Sequence, residues 1–104
     1  MKSLPPITFR KKALSGEYKI IDIRTSEELL RDSEIISEDQ VLHLDFYDSF
    51  FKQQIAKLDK VQKYLIYCGS GIRSRKALKI FEEFEFNKVH DLDGGKQNWN
   101  EVMA

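Results

Sequence analysis

The chain has 104 residues, 41% of them apolar, which suits one compact domain over residues 1–104 with a single core. Seventeen basic residues balance seventeen acidic ones, so bulk charge gives no reason to expect nucleic acid or an anionic membrane as a partner. One cysteine excludes an internal disulfide and a cysteine-rich zinc site, no run approaches the ~20 apolar residues of a membrane span, and Met1 to Pro6 lacks the apolar stretch of a secretory signal; a cytoplasmic protein is the expectation.

Pro5 and Pro6 read as an extended lead-in. Thr8 to Ser15 reads as a short helix with Gly16 near its end. Tyr18 to Ile23 is rich in β-branched and aromatic residues and reads as a strand. Ser26 to Leu30 has the acids of a helix first turn. Val41 to Leu44 reads as a second strand, and Ser49 to Leu58 carries Phe50, Phe51, Ile55 and Leu58 at helical spacing. Tyr64 to Tyr67 is an apolar strand, and Arg73 to Phe84 a helix with Ala77, Ile80, Phe81 and Phe84 on one stripe. Lys88 to Leu92 is a last strand, followed by Asp93-Gly94-Gly95 and a short tail helix bearing Trp99. Alternation of strands and helices predicts a mostly parallel α/β sheet with helices on both faces, whose ligands bind beyond the carboxyl ends of the strands.

Cys68 ends the apolar strand at such an edge. Gly69, Ser70, Gly71 and Ile72 separate it from Arg73 and the next helix. A free cysteine is most often a small apolar filler. Here two glycines allow the tight backbone that turns N–H groups inward, and the helix start adds partial positive charge. Such surroundings lower a thiol pKa from about 8.5 into a range of roughly 3.5 to 7.5. Arg73 sits against the helix dipole, which calls for another reason, such as an anionic substrate or a carboxylate. Ser74 reads as a cap or as an anion donor, with capping preferred. Asp22 and Arg24 share one strand face. They form either an incidental ion pair, or a support in which Asp22 holds the cysteine loop or Arg73 while Arg24 is a second anion contact. Gly94 and Gly95 read as a tight turn, Trp99 as core cover, and His43 and His90 as structural histidines. No Cys–His dyad, metal-ligand spacing or phosphate-binding loop is present in the sequence.

Asp22-Ile23-Arg24 with Glu27-Glu28, then Tyr64 to Ser74, then Val89 and Leu92 to Gly95 with Trp99, together resemble the rhodanese family of sulfurtransferases. The resemblance covers most of the chain in order. It implies a five-stranded parallel sheet flanked by helices. It implies that Cys68 accepts the outer sulfur of an anionic donor such as thiosulfate as a persulfide, held by the N–H groups of Gly69 to Ser74, and passes it to a thiophilic acceptor. Arg73 would close that loop. A thiol protein would serve as donor or acceptor, and no metal or organic cofactor is implied. The chain departs from the family at Asp32 to Asp39, where a His-Ile-Pro-Gly-Ala segment is usual, and at Glu85-Phe86, where a Gly-Phe usually ends the helix.

Two other readings compete. A binding module of the same fold without catalysis is one. A cysteine-based phosphatase or arsenate reductase is the other, but such loops place five residues between cysteine and arginine, and here there are four.

Overall fold

Five strands pair in parallel in the order β1-β5-β4-β2-β3. They are β1 (Ser3–Leu4), β2 (Tyr18–Asp22), β3 (Val41–His43), β4 (Lys63–Tyr67) and β5 (Lys88–Leu92). The helices are α1 (Pro6–Leu14), α2 (Ser26–Arg31), α3 (Phe51–Ala56), α4 (Ile72–Glu83) and α5 (Gly95–Val102). This computed structural model describes residues 1–104 except the side chain of Glu38. The expected parallel α/β sheet is therefore present, with β4 as its middle strand.

Alternation along the strands sorts the apolar residues into two layers rather than one core. On one face, Ile21, Ile23, Ile66, Cys68 and Val89 pack with Phe51 and Ile55 of α3 and Ala77, Leu78 and Phe81 of α4. On the other, Leu4, Ile20, Leu65, Tyr67 and Leu92 pack with Phe9 and Ala13 of α1 and Trp99 of α5. The middle strands carry apolar residues on both faces, which is why Tyr64 to Tyr67 reads as a continuous run. No helix among the described residues is long and apolar enough to cross a membrane.

Several local boundaries differ from expectation for identifiable reasons. Ahead of the prolines lies β1, a two-residue strand that exists through its pairing with Asp91 and Leu92, and of the expected Pro5-Pro6 lead-in only Pro5 is extended. Helix α1 starts at Pro6 because proline suits the first helical position, where its missing N–H costs nothing. Helix α2 is capped by Thr25: the Thr25 hydroxyl accepts from Glu28 N–H at 3.3 Å, and Thr25 N–H donates to Glu28 Oε1 at 3.1 Å. Helix α4 ends with Glu85 in the left-handed region at φ 60°. Glu85 N–H donates to Glu82 O at 3.0 Å and Phe86 N–H to Phe81 O at 3.1 Å, the closing pattern that glycine usually serves.

The atypical stretch after α2 runs beneath the Trp99 side of the sheet. Ile35 N–H donates to the Tyr67 hydroxyl at 3.2 Å, and Ile35 and Ile36 pack on that layer. A single 3-10 turn over Glu38–Gln40 then leads into β3.

Candidate functional site

The site is built where β4 stops. Cys68 follows Ile66 onto the α3/α4 side of the sheet and has no exposed surface. Its Sγ accepts N–H bonds from Gly71 at 3.1 Å and from Ser74 at 3.4 Å. Gly71 caps α4 at φ 96°, a backbone state that an L side chain rarely adopts. That state turns the Gly71 amide back toward the sulfur. The side chain thus points inward, as a filler would, while two amides are trained on it, as a thiolate site requires. Of the loop, Ser70 and Ile72 face solvent and Gly69 and Gly71 are buried.

A second helix clamps the loop from the other side. The first amides of α5 reach its carbonyls: Lys96 N–H donates to Cys68 O at 2.9 Å and Gln97 N–H to Gly69 O at 3.0 Å. A Cβ at Gly95 would lie 2.5 Å from the Gly69 carbonyl carbon and oxygen, so only glycine allows this approach. The Gly94-Gly95 pair is therefore more than a turn: it docks α5 onto the cysteine loop.

Ser74 does not cap α4; the cap position is Gly71, and Ser74 is the third helical residue. Its fully buried hydroxyl donates to Asp91 Oδ2 at 2.6 Å and stands 3.6 Å from Cys68 Sγ. Asp91, also fully buried, accepts from the Ser3 hydroxyl at 2.5 Å on its other oxygen.

The two arginines both face carboxylates. Arg73 forms a two-pronged pair with Glu28, Nη1 to Oε1 at 2.7 Å and Nη2 to Oε2 at 2.8 Å, beneath the Tyr47 ring. The Arg73 guanidinium and the Thr25 cap together hold the Glu28 carboxyl down to about 2, against the partial burial that opposes ionisation. The pair lies against the loop: a Cβ at Gly69 would meet Glu28 Oε2 at 3.0 Å and Arg73 Nη2 at 3.2 Å.

Arg24 is almost wholly buried and grips Asp22, with Nε at 3.1 Å and 3.2 Å and Nη2 at 2.9 Å from its oxygens. Asp22 also accepts from the Arg24 backbone N–H at 2.9 Å. It holds neither the cysteine loop nor Arg73. Both residues continue the Tyr67 face, Arg24 lying over the Tyr67 ring, whereas Cys68 turns to the opposite face. Arg24 Nη2 also donates to Ser33 O at 3.2 Å, pinning the atypical stretch.

A pocket of about 150 Å³ opens between these groups, lined by Arg24, Glu28, Arg31, Asp32, Gly69, Lys96 and Gln97. Lys96 Nζ meets Asp32 at 2.7 Å and Asn100 at 2.9 Å across it. Among the described residues no three of His, Cys, Asp and Glu converge to hold a metal. His43 Nε2 lies 2.6 Å from Arg24 O, and His90 Nδ1 accepts from Lys2 N–H at 3.3 Å, both away from the sulfur.

Glu28 and Asp91 were not legible as site residues. The Thr25-x-x-Glu28 spacing marks Glu28 as half of a capping box, and Asp91 is a charged residue closing a buried strand; each signal shows something local but not the distant partner.

Comparison with known proteins places this geometry in a wider setting. The sequence model of the family described as "Rhodanese-like domain" matches residues 8–102. A protein named tRNA sulfurtransferase from Vibrio cholerae is 30% identical over 89 residues, covering 86% of this chain and 18% of that one. The chain spans 16–18% of the length of tRNA sulfurtransferases that it matches. The crystal structure of a rhodanese-related protein from Thermoplasma volcanium superposes with a TM-score of 0.78 at 24% identity, covering 98% of this chain and 93% of that one. A NAD-dependent persulfide reductase from A. fulgidus has a TM-score of 0.65 at 27% identity, covering 81% of this chain and 14% of that one.

Proposed function

Because the chain belongs to the rhodanese-like domain family, we propose that it is a sulfurtransferase that carries a sulfane sulfur on Cys68 as a persulfide. The observation that carries this reading is the pair of amides, from Gly71 and Ser74, directed at a buried cysteine sulfur. Fixed N–H dipoles in a dry site stabilise an anion without reorganising as it forms. The tRNA sulfurtransferase relatives and the persulfide reductase neighbour are named for sulfur chemistry, which supports the same reading.

The donor is thiosulfate or another sulfane-sulfur compound. The Cys68 thiolate attacks the outer sulfur of the donor. The donor's S–S bond breaks, and its remaining group leaves with the bonding pair, as sulfite in the case of thiosulfate. An acceptor nucleophile, such as cyanide or a protein thiol, then takes the outer sulfur and returns the thiolate. Gly69 to Ile72 form the rim the donor crosses. Arg73 keeps the Glu28 carboxylate neutralised beside that rim, so its contribution to an anionic donor is to remove a repulsion. Arg24 serves the pocket wall, held by Asp22.

Intact-mass measurement after incubation with thiosulfate, and with a small-molecule persulfide, tests the reading. The wild type gains one sulfur and Cys68→Ala gains none. No gain with either donor favours a binding module. Turnover of p-nitrophenyl phosphate that is lost in Cys68→Ser would overturn the sulfur assignment.

A further inference from the structure

We propose that Asp91 is a positioning residue that controls Cys68 through the single proton of the Ser74 hydroxyl. The inference rests on Cys68 being the nucleophile, and adds how its charge state is set.

Ser74 has one hydroxyl proton and two claimants for it. Asp91 Oδ2 lies 2.6 Å from Ser74 Oγ, and Cys68 Sγ lies 3.6 Å from it. The short bond to a buried carboxylate holds the proton, because a bond to a charged acceptor is about twice as strong as one between neutral groups. With the proton on the Asp91 side, the Ser74 oxygen presents lone pairs to the sulfur. That arrangement accepts an S–H and opposes a bare thiolate. The charge on Asp91 acts in the same direction, since two neighbouring anions in a dry site disfavour each other. In this arrangement Asp91 works against the two amides that face the sulfur. A thiolate gains its third donor, after the Gly71 and Ser74 amides, only when the hydroxyl rotates from Asp91 to the sulfur. Asp91 survives that rotation because the Ser3 hydroxyl still donates to its other oxygen.

The Asp91 carboxylate bridges β1 and α4, taking one hydroxyl from each. Asp91 is fully buried, and among the described residues its side chain accepts hydrogen bonds from the two serine hydroxyls and pairs with no cation. The charged side chains of the neighbouring elements are paired with others, although the Arg73 charge still acts on Cys68. Arg73 of α4 pairs with Glu28 of α2, Asp22 pairs with Arg24 at the end of β2, and Lys96 of α5 sends its ammonium to Asp32. Beyond β5, Asp93 pairs with Arg75 at the surface.

The test follows the Cys68 13Cβ resonance against pH. In Asp91→Asn the side-chain amide can donate to Ser74 Oγ, which frees the hydroxyl proton for sulfur and removes the buried charge. The ionisation midpoint is expected to fall by about one pH unit, a tenfold gain in thiolate below the midpoint. The same substitution made in Ser74→Ala should move the midpoint by clearly less. An unchanged or raised midpoint in folded Asp91→Asn overturns the proposal. A second measurement needs no variant of Asp91: in the wild type, the Asp91 13Cγ resonance should step at the Cys68 midpoint and lose that step in Cys68→Ala. A flat Asp91 resonance through that midpoint overturns the proposal as well. Both readouts are free of any sulfur donor. A protein that takes up no sulfur but shows the coupled step loses the transfer reading alone, and one that takes up sulfur without the step loses this inference alone.

Discussion

Arg24 and Arg73 each hold a carboxylate in a two-pronged grip, yet they stand in opposite surroundings. Arg24 and Asp22 are both sealed within the Tyr67 layer. Arg73 and Glu28 lie at the rim of the cysteine loop with side chains 15% and 26% exposed. The first pair is a fixed part of the wall. The second can be opened, and it borders the only cysteine. The same chemistry thus serves rigidity in one place and access in the other, and burial decides which.

The largest expected effect separates the two pairs by stability. Arg24→Ala leaves the Asp22 charge buried without a counterion, which costs about 3–5 kcal/mol. Arg73→Ala, at a pair with partial access to water, should cost clearly less. Urea unfolding of both variants checks this. Equal losses would show that burial does not distinguish the pairs.

Donor selectivity sharpens the comparison further. Arg73→Ala bares the Glu28 carboxylate against Gly69, so thiosulfate use should fall about tenfold or more, while use of an uncharged persulfide donor falls less. The double variant Arg73→Ala/Glu28→Gln should recover much of the thiosulfate rate. Equal loss for both donors, or no recovery, would mean that the guanidinium acts otherwise than by neutralising Glu28.

Acid provides a third test. The Glu28 carboxyl is held to about 2, below its ordinary value of 4.5. A depressed folded value gives stability that is fully present above the ordinary value and is lost as pH falls toward 2. Stability of the wild type should therefore fall across that window more steeply than stability of Glu28→Gln, as read by urea midpoints at several pH values. Parallel curves would show that the pair contributes no such dependence.

The smallest effect lies farthest from the site. Glu85 holds a left-handed backbone state that costs an L residue about 1 kcal/mol relative to glycine. Glu85→Gly should raise stability by about that amount without changing sulfur uptake, and a loss of stability would contradict the strain.

The strands and the cysteine loop were legible in the sequence because their causes are local. An apolar run, two glycines and a helical stripe lie within Tyr64 to Phe84. The two-residue β1 carries no periodicity and is defined by strand pairing with β5. The partners of the site residues were not legible for the same reason: Glu28 and Arg73 are 45 positions apart, and Ser74 and Asp91 are 17 apart. The Asp22–Arg24 alternation was readable as a shared face. That this face is opposite the one carrying Cys68 depends on strand register, which the residues alone do not display.

The central claim is that two backbone amides hold the charge of the Cys68 sulfur. The 15N–1H resonances of Gly71 and Ser74, recorded before and after loading with one sulfur, test it most directly. The account predicts downfield shifts of both amide protons on loading, larger than those of Ile72 and Arg73. Resonances of Gly71 and Ser74 that stay in place while the mass shows an added sulfur would contradict it.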